Sequence, residues 1–318
     1  MFWAQIFLII ISITTGGNTC FAGETDQKFV LKGEEWNYSP PDYWSVLTNI
    51  PSTSIEALKV SFSKEAILPW AVIISSTAVL YHNDEEILLN VQRFGRHAGI
   101  GNQENTRTII RGFGVPLFRA PTDLGSLLYF IGDGWTHAGL TIGFFTYGQM
   151  HKDYRALQTS LQLVHGMIVS TLFSQALKRS TGRESPIVRT SPLGEWRPFP
   201  SIKEYGLHTS KYDAFPSGHI MTATLSLVVI SENYPEYTWI KPLGWTLVGL
   251  LGFEMVNNSV HWASDYPLGI AMGLLFGKLV LQNGREKVGG SGSDTQAKFQ
   301  ILPMLEPDTL GVQAVYLF

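Results

Sequence analysis

The sequence predicts a mainly α-helical domain, a bundle of apolar helices, followed by a short C-terminal β-hairpin. Long apolar stretches recur between residues 66 and 281, and several are apolar on every side, as buried or membrane helices are. Residues that open helices rather than fill them, such as Pro216, Ser217 and Gly218, precede one of these stretches. Beyond residue 297, apolar residues alternate on both sides of a Pro307-Asp308 turn, which is the pattern of a hairpin.

Length and composition limit the function classes. The chain has 318 residues, of which 45% are hydrophobic and 15% charged, so it can form one large domain or a domain with appendages. Its net charge of -3 and the lack of a basic stripe give no reason to expect nucleic acid as a partner. Cys20 is the one cysteine, and it lies in the apolar N-terminal stretch. A mature chain without that stretch has no thiol, which excludes disulfides, cysteine zinc sites and a cysteine nucleophile.

The N-terminus, residues 1–22, is typical of a signal peptide. An apolar run is followed by small and polar residues and then by a polar stretch. The alternative is an uncleaved anchor helix. Residues 23–63 are polar and aromatic and contain Pro40-Pro41, and we expect them to form an irregular lead-in.

Residues 64–283 are predicted to form the helical domain. Residues 102–119 are polar and are expected to form a loop, and Gly132-Asp133-Gly134 divides the next apolar stretch into two short helices. The helices are predicted at residues 66–81, 85–96, 124–150 with that break, 154–178, 219–231, 243–256 and 264–281.

Three further segments complete the organisation. Residues 179–213 form a connection long enough to be functional. Residues 284–296 have the composition of a linker, and residues 297–318 form the hairpin. Because a single hairpin cannot close a barrel, an edge hairpin on the helical domain is favoured over a strand of an outer-membrane barrel. The apolar runs are shorter than about 20 residues or are interrupted. Whether the helices span a membrane therefore stays open, and membrane association is favoured.

The stretch from Asp213 to His219 is the most informative one. Pro216, Ser217 and Gly218 open an apolar helix, and the unpaired N–H groups of such an opening favour an anion. His219 stands where it can donate a proton to whatever those amides hold. A capped core helix with an incidental histidine is the alternative.

Two other groups of residues bear on this site. Lys178, Arg179 and Arg183 are cations at the point where a helix gives way to a loop, although cations also complement a helix C-terminus in the ordinary way. His261 and Asp265 are four residues apart, so both fall on one helical face and can form a hydrogen bond. The carboxylate would fix the tautomer of the ring and prepare its other nitrogen as a nucleophile or base. The pair is expected at the start of the last helix, open to a cavity, and a surface ion pair is the alternative.

The order and spacing of these residues resemble the type 2 phosphatidic acid phosphatase and vanadium haloperoxidase superfamily. Its pattern is Lys, six residues, Arg-Pro; then Pro-Ser-Gly-His; then Ser-Arg, five residues, His, three residues, Asp. The resemblance covers residues 133–281. The second motif and the His-Asp pair match in full, and Lys178 and Pro186 match in position. The resemblance implies a helical bundle of the phosphatase and haloperoxidase kind.

The sequence departs from the family pattern at both motif arginines. Counted from Lys178, the first falls on Ser185, and counted back from His261, the second falls on Met255. Neither side chain replaces a bidentate arginine contact with an anion. Arg183 and Arg179 are predicted as substitutes, ahead of Arg189 and Arg197 in the long connection. The departure puts catalytic strength in question more than fold.

The resemblance implies a metal-independent phosphatase without a cofactor. His261 would attack phosphorus and form a phosphohistidine, Asp265 would orient it, and His219 would protonate the leaving oxygen. The phosphate would be bound by Lys178, Ser217, Gly218 and, as a substitute, Arg183. The expected substrate is a phosphorylated lipid, as a monoester or pyrophosphate, or a small phosphoester, and a membrane is the expected surroundings.

Two alternatives stay open. One is a weakened or inactive relative that binds an anionic headgroup or a partner, which the two replaced arginines favour. The other is a vanadate-dependent haloperoxidase, which needs firmer anion ligation and is therefore the less favoured. The signal peptide places the protein in the cell envelope, in the inner membrane or the periplasm, with an extracytoplasmic active site. The oligomeric state stays open.

Overall fold

A computed structural model describes residues 25–101, 105–112, 115–288, 298–306 and 309–317. The mainly helical prediction is confirmed. The helices are α1 (Ser45–Thr48), α2 (Ile50–Ser61), α3 (Ile67–His97), α4 (Leu124–Phe130), α5 (Gly134–His151), α6 (Tyr154–Thr181), α7 (Ile202–Leu207), α8 (Gly218–Asn233), α9 (Ile240–Asn257) and α10 (Tyr266–Val280). The strands are β1 (Gln27–Leu31), β2 (Glu34–Tyr38), β3 (Thr106–Gly112), β4 (Val115–Pro121), β5 (Arg285–Lys287), β6 (Lys298–Glu306) and β7 (Thr309–Leu317). The predicted signal peptide lies outside the described residues.

The bundle is built around α6, which is buried along most of its length. Asp153 caps its N-terminus by accepting a hydrogen bond from the Ala156 N–H at 3.0 Å. Gly182 ends it with a φ of 60°, the left-handed conformation that favours glycine. Side chains from α6, α8 and α10 share the main apolar core, in which Met167, Leu225 and Phe276 are at most 2% exposed.

Glycines on α10 allow that helix to lie close against α8. A Cβ at Gly269 would lie 2.8 Å from the Ser217 carbonyl oxygen, and one at Gly273 would lie 2.6 Å from the Met221 carbonyl oxygen. Both distances are shorter than real Cβ contacts. The close approach brings the loop before α10 next to the N-terminus of α8.

The N-terminal segment corrects the lead-in prediction. Residues 27–38 form a β-hairpin whose two-residue turn, Lys32-Gly33, has positive φ at both positions, as a type I′ turn requires. β5 then pairs antiparallel with β2, so the start of the predicted linker at 284–296 is a strand. Sequence patterns missed this sheet because β5 has three residues and its partner lies about 250 positions away along the chain.

Two other boundaries differ from the prediction. The helices expected at 66–81 and 85–96 are one helix, α3, because the polar residues between them lie partly on its exposed side. The loop expected at 102–119 contains the hairpin β3–β4. The break at Gly132-Asp133-Gly134 is confirmed, since α4 ends before it and α5 starts within it. The C-terminal hairpin is confirmed as the antiparallel pair β6–β7.

Within the described part of the chain, one helical segment is long and apolar enough to cross a membrane, Lys64–His97. Only 6% of its apolar 18-residue window is buried, unlike the core helix of a soluble bundle. Its exposed apolar side chains include Ile67 at 69%, Ile74 at 63% and Val79 at 64%.

Candidate active site

The first part of the site is the N-terminus of α8, where sequence reasoning placed it. Ser217 caps this helix: its hydroxyl accepts a hydrogen bond from the Ile220 N–H at 3.4 Å. The Ser217 N–H donates to the Asp265 carbonyl oxygen at 3.1 Å. The Pro-Ser-Gly-His turn and the His-x-x-x-Asp loop are therefore joined directly through the backbone.

Two histidine rings lie next to each other at this junction, in an edge-to-face arrangement. The ring centroids of His219 and His261 are 5.7 Å apart, and their planes make an angle of 70°. Tyr129 on α4 lies on His219, with the ring centroids 5.3 Å apart. Burial, with smaller contributions from His261 and Lys178, lowers the pKa of His219 well below its usual value. His219 is therefore mostly neutral at neutral pH while no anion is bound.

The carboxylate of Asp265 contacts the ring of His261. Its Oδ2 lies 3.4 Å from His261 Nδ1 and accepts a second hydrogen bond from the Trp262 N–H at 2.8 Å. If Nδ1 carries the proton, Nε2 is left with a lone pair, the form that a nucleophile needs. Both residues are buried, with His261 3% and Asp265 0% exposed.

The position of this pair corrects two details of the sequence prediction. His261 and Asp265 do lie at the start of the last helix, as expected. They meet through a one-turn 3-10 helix, Ala263–Asp265, and not along one face of an α-helix. They are also buried, whereas the prediction had them open to a cavity. The reason is that α3 and residues 182–196 pack over the loop, with Trp262 donating its indole N–H to the Glu184 carbonyl oxygen at 2.8 Å.

Lys178 lies beside the N-terminus of α8. Its Nζ donates to the Asp213 carbonyl oxygen at 2.6 Å and lies 3.7 Å from the Asp213 carboxylate. A Cβ placed on Gly218 would lie 3.8 Å from this Nζ. The ammonium group and the first turn of α8 therefore border the same small region, which favours an anion.

Arg183 lies on the far side of Asp265. Its side chain is fully buried, and Nη1 donates to Asp265 Oδ1 at 2.6 Å while Nη2 donates to Asp84 Oδ2 at 2.7 Å. Nη1 also donates to the Ser264 hydroxyl at 2.6 Å. Both terminal nitrogens are thus bound to protein, so they do not supply the substitute phosphate contact that the sequence predicted. Nε is buried and has no hydrogen-bond partner among the described residues.

The other predicted substitutes have partners of different kinds. Arg179 lies over the Tyr205 ring at 4.2 Å, and Arg197 pairs with Glu184 and Glu195. Arg189 lies 5.9 Å from the centre of the Trp262 ring. Among the described residues, Arg189 is therefore the arginine of the long connection that lies next to the His261 loop and forms no salt bridge with a carboxylate.

The two positions at which the sequence resemblance predicts an arginine hold buried residues. Ser185 is 4% exposed and donates its N–H to the Ser210 carbonyl oxygen at 2.9 Å. Met255 is 0% exposed and packs with Ile220 and Leu251 in an apolar cluster. Its carbonyl oxygen accepts the His261 N–H at 3.2 Å, so the backbone here still supports the loop.

Sequence reasoning missed Asp84 and Ser264. Asp84 lies on α3 and is 1% exposed, and its carboxylate binds both Arg183 and Ser264. The sequence contains a pattern that could have identified Asp84. Leu80, Asp84 and Leu88 are spaced four residues apart, so Asp84 interrupts the apolar stripe of a helix. Dividing α3 into two helices hid that stripe. Within the described residues, no group of three or more His, Cys, Asp or Glu side chains is arranged to hold a metal ion.

Comparisons with known proteins agree with the motifs. Residues 159–288 match the family model of the PAP2 superfamily, which confirms the family resemblance. A stretch of 68 residues is 34% identical to a lipid A 1-phosphatase of Porphyromonas gingivalis. It covers 21% of this chain and 15% of that relative's length.

Two solved structures show a low similarity to this chain. LpxE of Aquifex aeolicus is 19% identical, with 50% of this chain and 83% of that chain covered and a TM-score of 0.38. The transmembrane PAP2 type phosphatidylglycerolphosphate phosphatase of Bacillus subtilis is 16% identical, with 75% and 95% covered and a TM-score of 0.36.

Proposed function

We propose, because residues 159–288 match the PAP2 superfamily, that this protein is a metal-independent phosphatase that forms a phosphohistidine. The observation that carries the proposal is the adjacent pair of His219 and His261, whose ring centroids are 5.7 Å apart, together with the contact of Asp265 with His261. One ring has a carboxylate that orients it as a nucleophile, and the other lies close enough to exchange a proton at the same phosphoryl group.

In the first step, Nε2 of His261 attacks phosphorus and forms a P–N bond. The P–O bond to the leaving group breaks, and the leaving oxygen takes the proton of His219. Because the pKa of free His219 is lowered, the bound phosphate must favour its protonated form. A dianion next to the ring does so, since an opposite charge stabilises the imidazolium.

In the second step, water attacks the phosphohistidine. His219, now neutral, accepts a proton from that water, the P–N bond breaks, and inorganic phosphate leaves. The electron pair of the bond returns to Nε2 of His261. The two histidines are then in their starting states, so the cycle consumes only the phosphoester and one water.

Three groups hold the phosphoryl oxygens in this proposal. Lys178 supplies a positive charge, and the Gly218 N–H opens α8, where amides have no partner within the helix. The Ser217 hydroxyl accepts the Ile220 N–H and can still donate its own proton to an oxygen. Positioning and charge stabilisation are the main requirements of phosphoryl transfer.

We infer that the substrate is a lipid phosphate or lipid pyrophosphate and that the protein is anchored in a membrane. The curated relative is named a lipid A 1-phosphatase, and the Lys64–His97 segment carries an exposed apolar face. Asp84 of the same segment contacts the site through Arg183. The site would therefore lie close to the lipid phase, in the cell envelope and on the extracytoplasmic side if the signal peptide acts.

The test uses the full chain purified in detergent. Phosphate release is measured with phosphatidate, a lipid pyrophosphate and a soluble aryl phosphate, for wild type, His261→Ala and His219→Ala. His208→Ala, an exposed histidine in the long connection, is the matched control. We expect release by wild type and the control and none by His261→Ala, with an acid-labile phosphoryl group on wild type trapped by rapid quenching. Wild type that releases no phosphate from any substrate would refute the proposal.

Membrane location has a separate test. In a Cys20→Ser background, Lys203→Cys adds a single thiol on the exposed start of α7. We expect an impermeant maleimide to label it in intact spheroplasts and the protein to remain in alkali-washed membranes. Labelling only after lysis would place this side of the protein in the cytoplasm.

A second candidate is an anion-binding relative without turnover, which the buried Ser185 and Met255 favour. In that case wild type binds a lipid phosphate in vesicles but releases none, and His261→Ala retains its biological role. The phosphate-release assay distinguishes the two candidates.

A further inference from the structure

Asp84 is a buried carboxylate in Lys64–His97, the helical segment of the described chain that is long and apolar enough to cross a membrane. It is 1% exposed, and it lies outside residues 159–288, which match the family. A buried carboxylate is costly unless charges or hydrogen bonds compensate it. The hydrogen-bond and ion-pair partners of Asp84 must therefore compensate the cost of burying its charge.

Both oxygens of Asp84 accept hydrogen bonds from Ser264, in the loop before α10. Oδ1 accepts the Ser264 N–H at 3.1 Å, and Oδ2 accepts the Ser264 hydroxyl. Oδ2 also accepts Nη2 of Arg183 at 2.7 Å. Asp84 thus fixes the residue immediately before Asp265 by two contacts and fixes Arg183 by a third.

Arg183 transmits this arrangement to Asp265. Its guanidinium lies between the carboxylates of Asp84 and Asp265, with Nη2 on one and Nη1 on the other. The rings of Tyr81, Trp196 and Trp262 surround it, at 4.9, 5.0 and 5.3 Å from the guanidinium carbon. Close contacts with three aromatic rings restrict the orientation of an arginine. A shift of Asp84 is therefore passed on to Asp265.

The charges of this group also suit the proposed chemistry. Two carboxylates and one guanidinium leave one net negative charge next to His261. Phosphorylation at Nε2, with a proton on Nδ1, makes the ring cationic, and a nearby net negative charge stabilises it. Arg183 meanwhile satisfies Oδ1 of Asp265 and leaves Oδ2 for His261.

We propose that Asp84 is a positioning residue that holds Asp265, through Arg183 and Ser264, in the orientation that prepares His261 as a nucleophile. The inference rests on the proposed phosphatase function. It links the apolar helix α3 to the phosphorylated histidine.

The experiment compares Asp84→Asn with Glu86→Gln, which removes a carboxylate from an exposed position of the same helix. We expect Asp84→Asn to lower kcat at least about 10-fold while KM changes less than about 3-fold, because the loss falls on the transition state. Glu86→Gln is expected to leave both unchanged. An Asp84→Asn variant that keeps kcat within about 2-fold of wild type would overturn the inference.

A double-variant cycle separates positioning from general stability. If Asp84 acts through Asp265, adding Asp84→Asn to Asp265→Asn lowers kcat little further, whereas independent effects would multiply. Multiplying effects would overturn the inference. Should Asp84→Asn fail to fold, Ser264→Ala removes only the bridging hydroxyl and is expected to lower kcat in the same non-additive way.

A readout without turnover keeps the inference separate from the proposed function. Diethyl pyrocarbonate acylates neutral histidine, and mass spectrometry follows the modification of His261 in the folded protein. We expect Asp84→Asn to change this rate in the same direction as Asp265→Asn, and Glu86→Gln to leave it unchanged. These expectations apply even if wild type releases no phosphate. Equal rates of His261 modification in wild type and Asp84→Asn would overturn the inference.

Discussion

Nη1 of Arg183 lies 2.6 Å from Oδ1 of Asp265, on the side of that carboxylate away from His261. Asp265 therefore divides its two oxygens between an arginine and a histidine. Arg183, which the sequence predicted as a phosphate contact, is bound to Asp265 instead. In the proposed function, positive charge at the phosphate therefore comes from Lys178 and the amides of α8.

Replacing Arg183 should destabilise the fold strongly. Arg183→Met leaves Asp84 and Asp265 buried without their cation, and breaking a buried ion pair from one side typically costs about 3–5 kcal/mol. The exposed Arg96→Met on α3 is the matched control. Thermal unfolding in detergent should show a large loss for Arg183→Met alone. Adding Asp84→Asn should recover part of it, because one uncompensated charge is removed, and a further loss would contradict this account.

Gly269 should be intolerant of alanine. A Cβ there would lie 2.8 Å from the Ser217 carbonyl oxygen, so either α10 or the N-terminus of α8 must move. We expect Gly269→Ala to lower both the unfolding temperature and kcat. Gly249→Ala on α9 has no atom within 4 Å of the added Cβ.

Gly249→Ala is therefore the matched control for Gly269→Ala. It should be neutral or stabilising by up to about 1 kcal/mol, because alanine has the higher helix propensity. Equal behaviour of the two alanine variants in unfolding and in turnover would show that close packing of α10 on α8 does not matter.

Much of the site could be predicted because its residues are close together in short motifs. The opening of α8 at Ser217 follows from the local rules of helix capping. The short separation of His261 and Asp265 predicted their contact, although they meet through a 3-10 turn and not along an α-helix. The long buried helix α6 and the break before α5 follow from apolar runs and glycines in the same way.

The parts that were missed depend on contacts between distant positions. Asp84 joins the site only because α3 packs against the loop before α10, about 180 residues later. The pairing of β5 with β2 is of the same kind. The role of Arg183 could not be read from its neighbours either, since both of its carboxylate partners lie more than about 80 positions away.

Lys178 should carry much of the charge stabilisation. Its Nζ borders the first turn of α8, and loss of one group that stabilises the transition state typically lowers the rate about 100- to 1000-fold. We expect Lys178→Met to lower kcat/KM in this range. Lys178→Arg should recover only part of the loss, because a planar guanidinium cannot replace a compact ammonium in a site only 7% exposed. Lys203→Met at an exposed position is the control, and a full rescue by arginine would argue against this geometry.

An arginine introduced at Met255, where the sequence resemblance predicts one, should not create a phosphate contact. This side chain is 0% exposed in an apolar cluster with Ile220 and Leu251, and a charge placed there would be buried without a partner. We expect Met255→Arg to be poorly folded or to lose several kcal/mol of stability, and Met255→Leu to lose less than about 1.5 kcal/mol. A stable Met255→Arg with raised kcat would show instead that the position can reach the phosphate.

The pH dependence of turnover should follow His219. Its folded pKa lies below the usual value of about 6.5, so the protonated acid needed for the first step becomes scarcer as the pH rises through the acidic range. We expect kcat/KM for an alkyl phosphate to fall from about pH 5 to pH 8 and this limb to vanish in His219→Asn. An aryl phosphate with a good leaving group needs less protonation, so His219→Asn should retain more of its activity on that substrate.

The lowered pKa of His219 has the opposite effect on stability. It stabilises the fold above about pH 6.5, and this stabilisation is lost as the pH falls, because the unfolded chain then binds the proton more readily. Activity and unfolding temperature should therefore move in opposite directions on acidification, and a kcat/KM that rises with pH for the alkyl phosphate would assign the proton donor to another group.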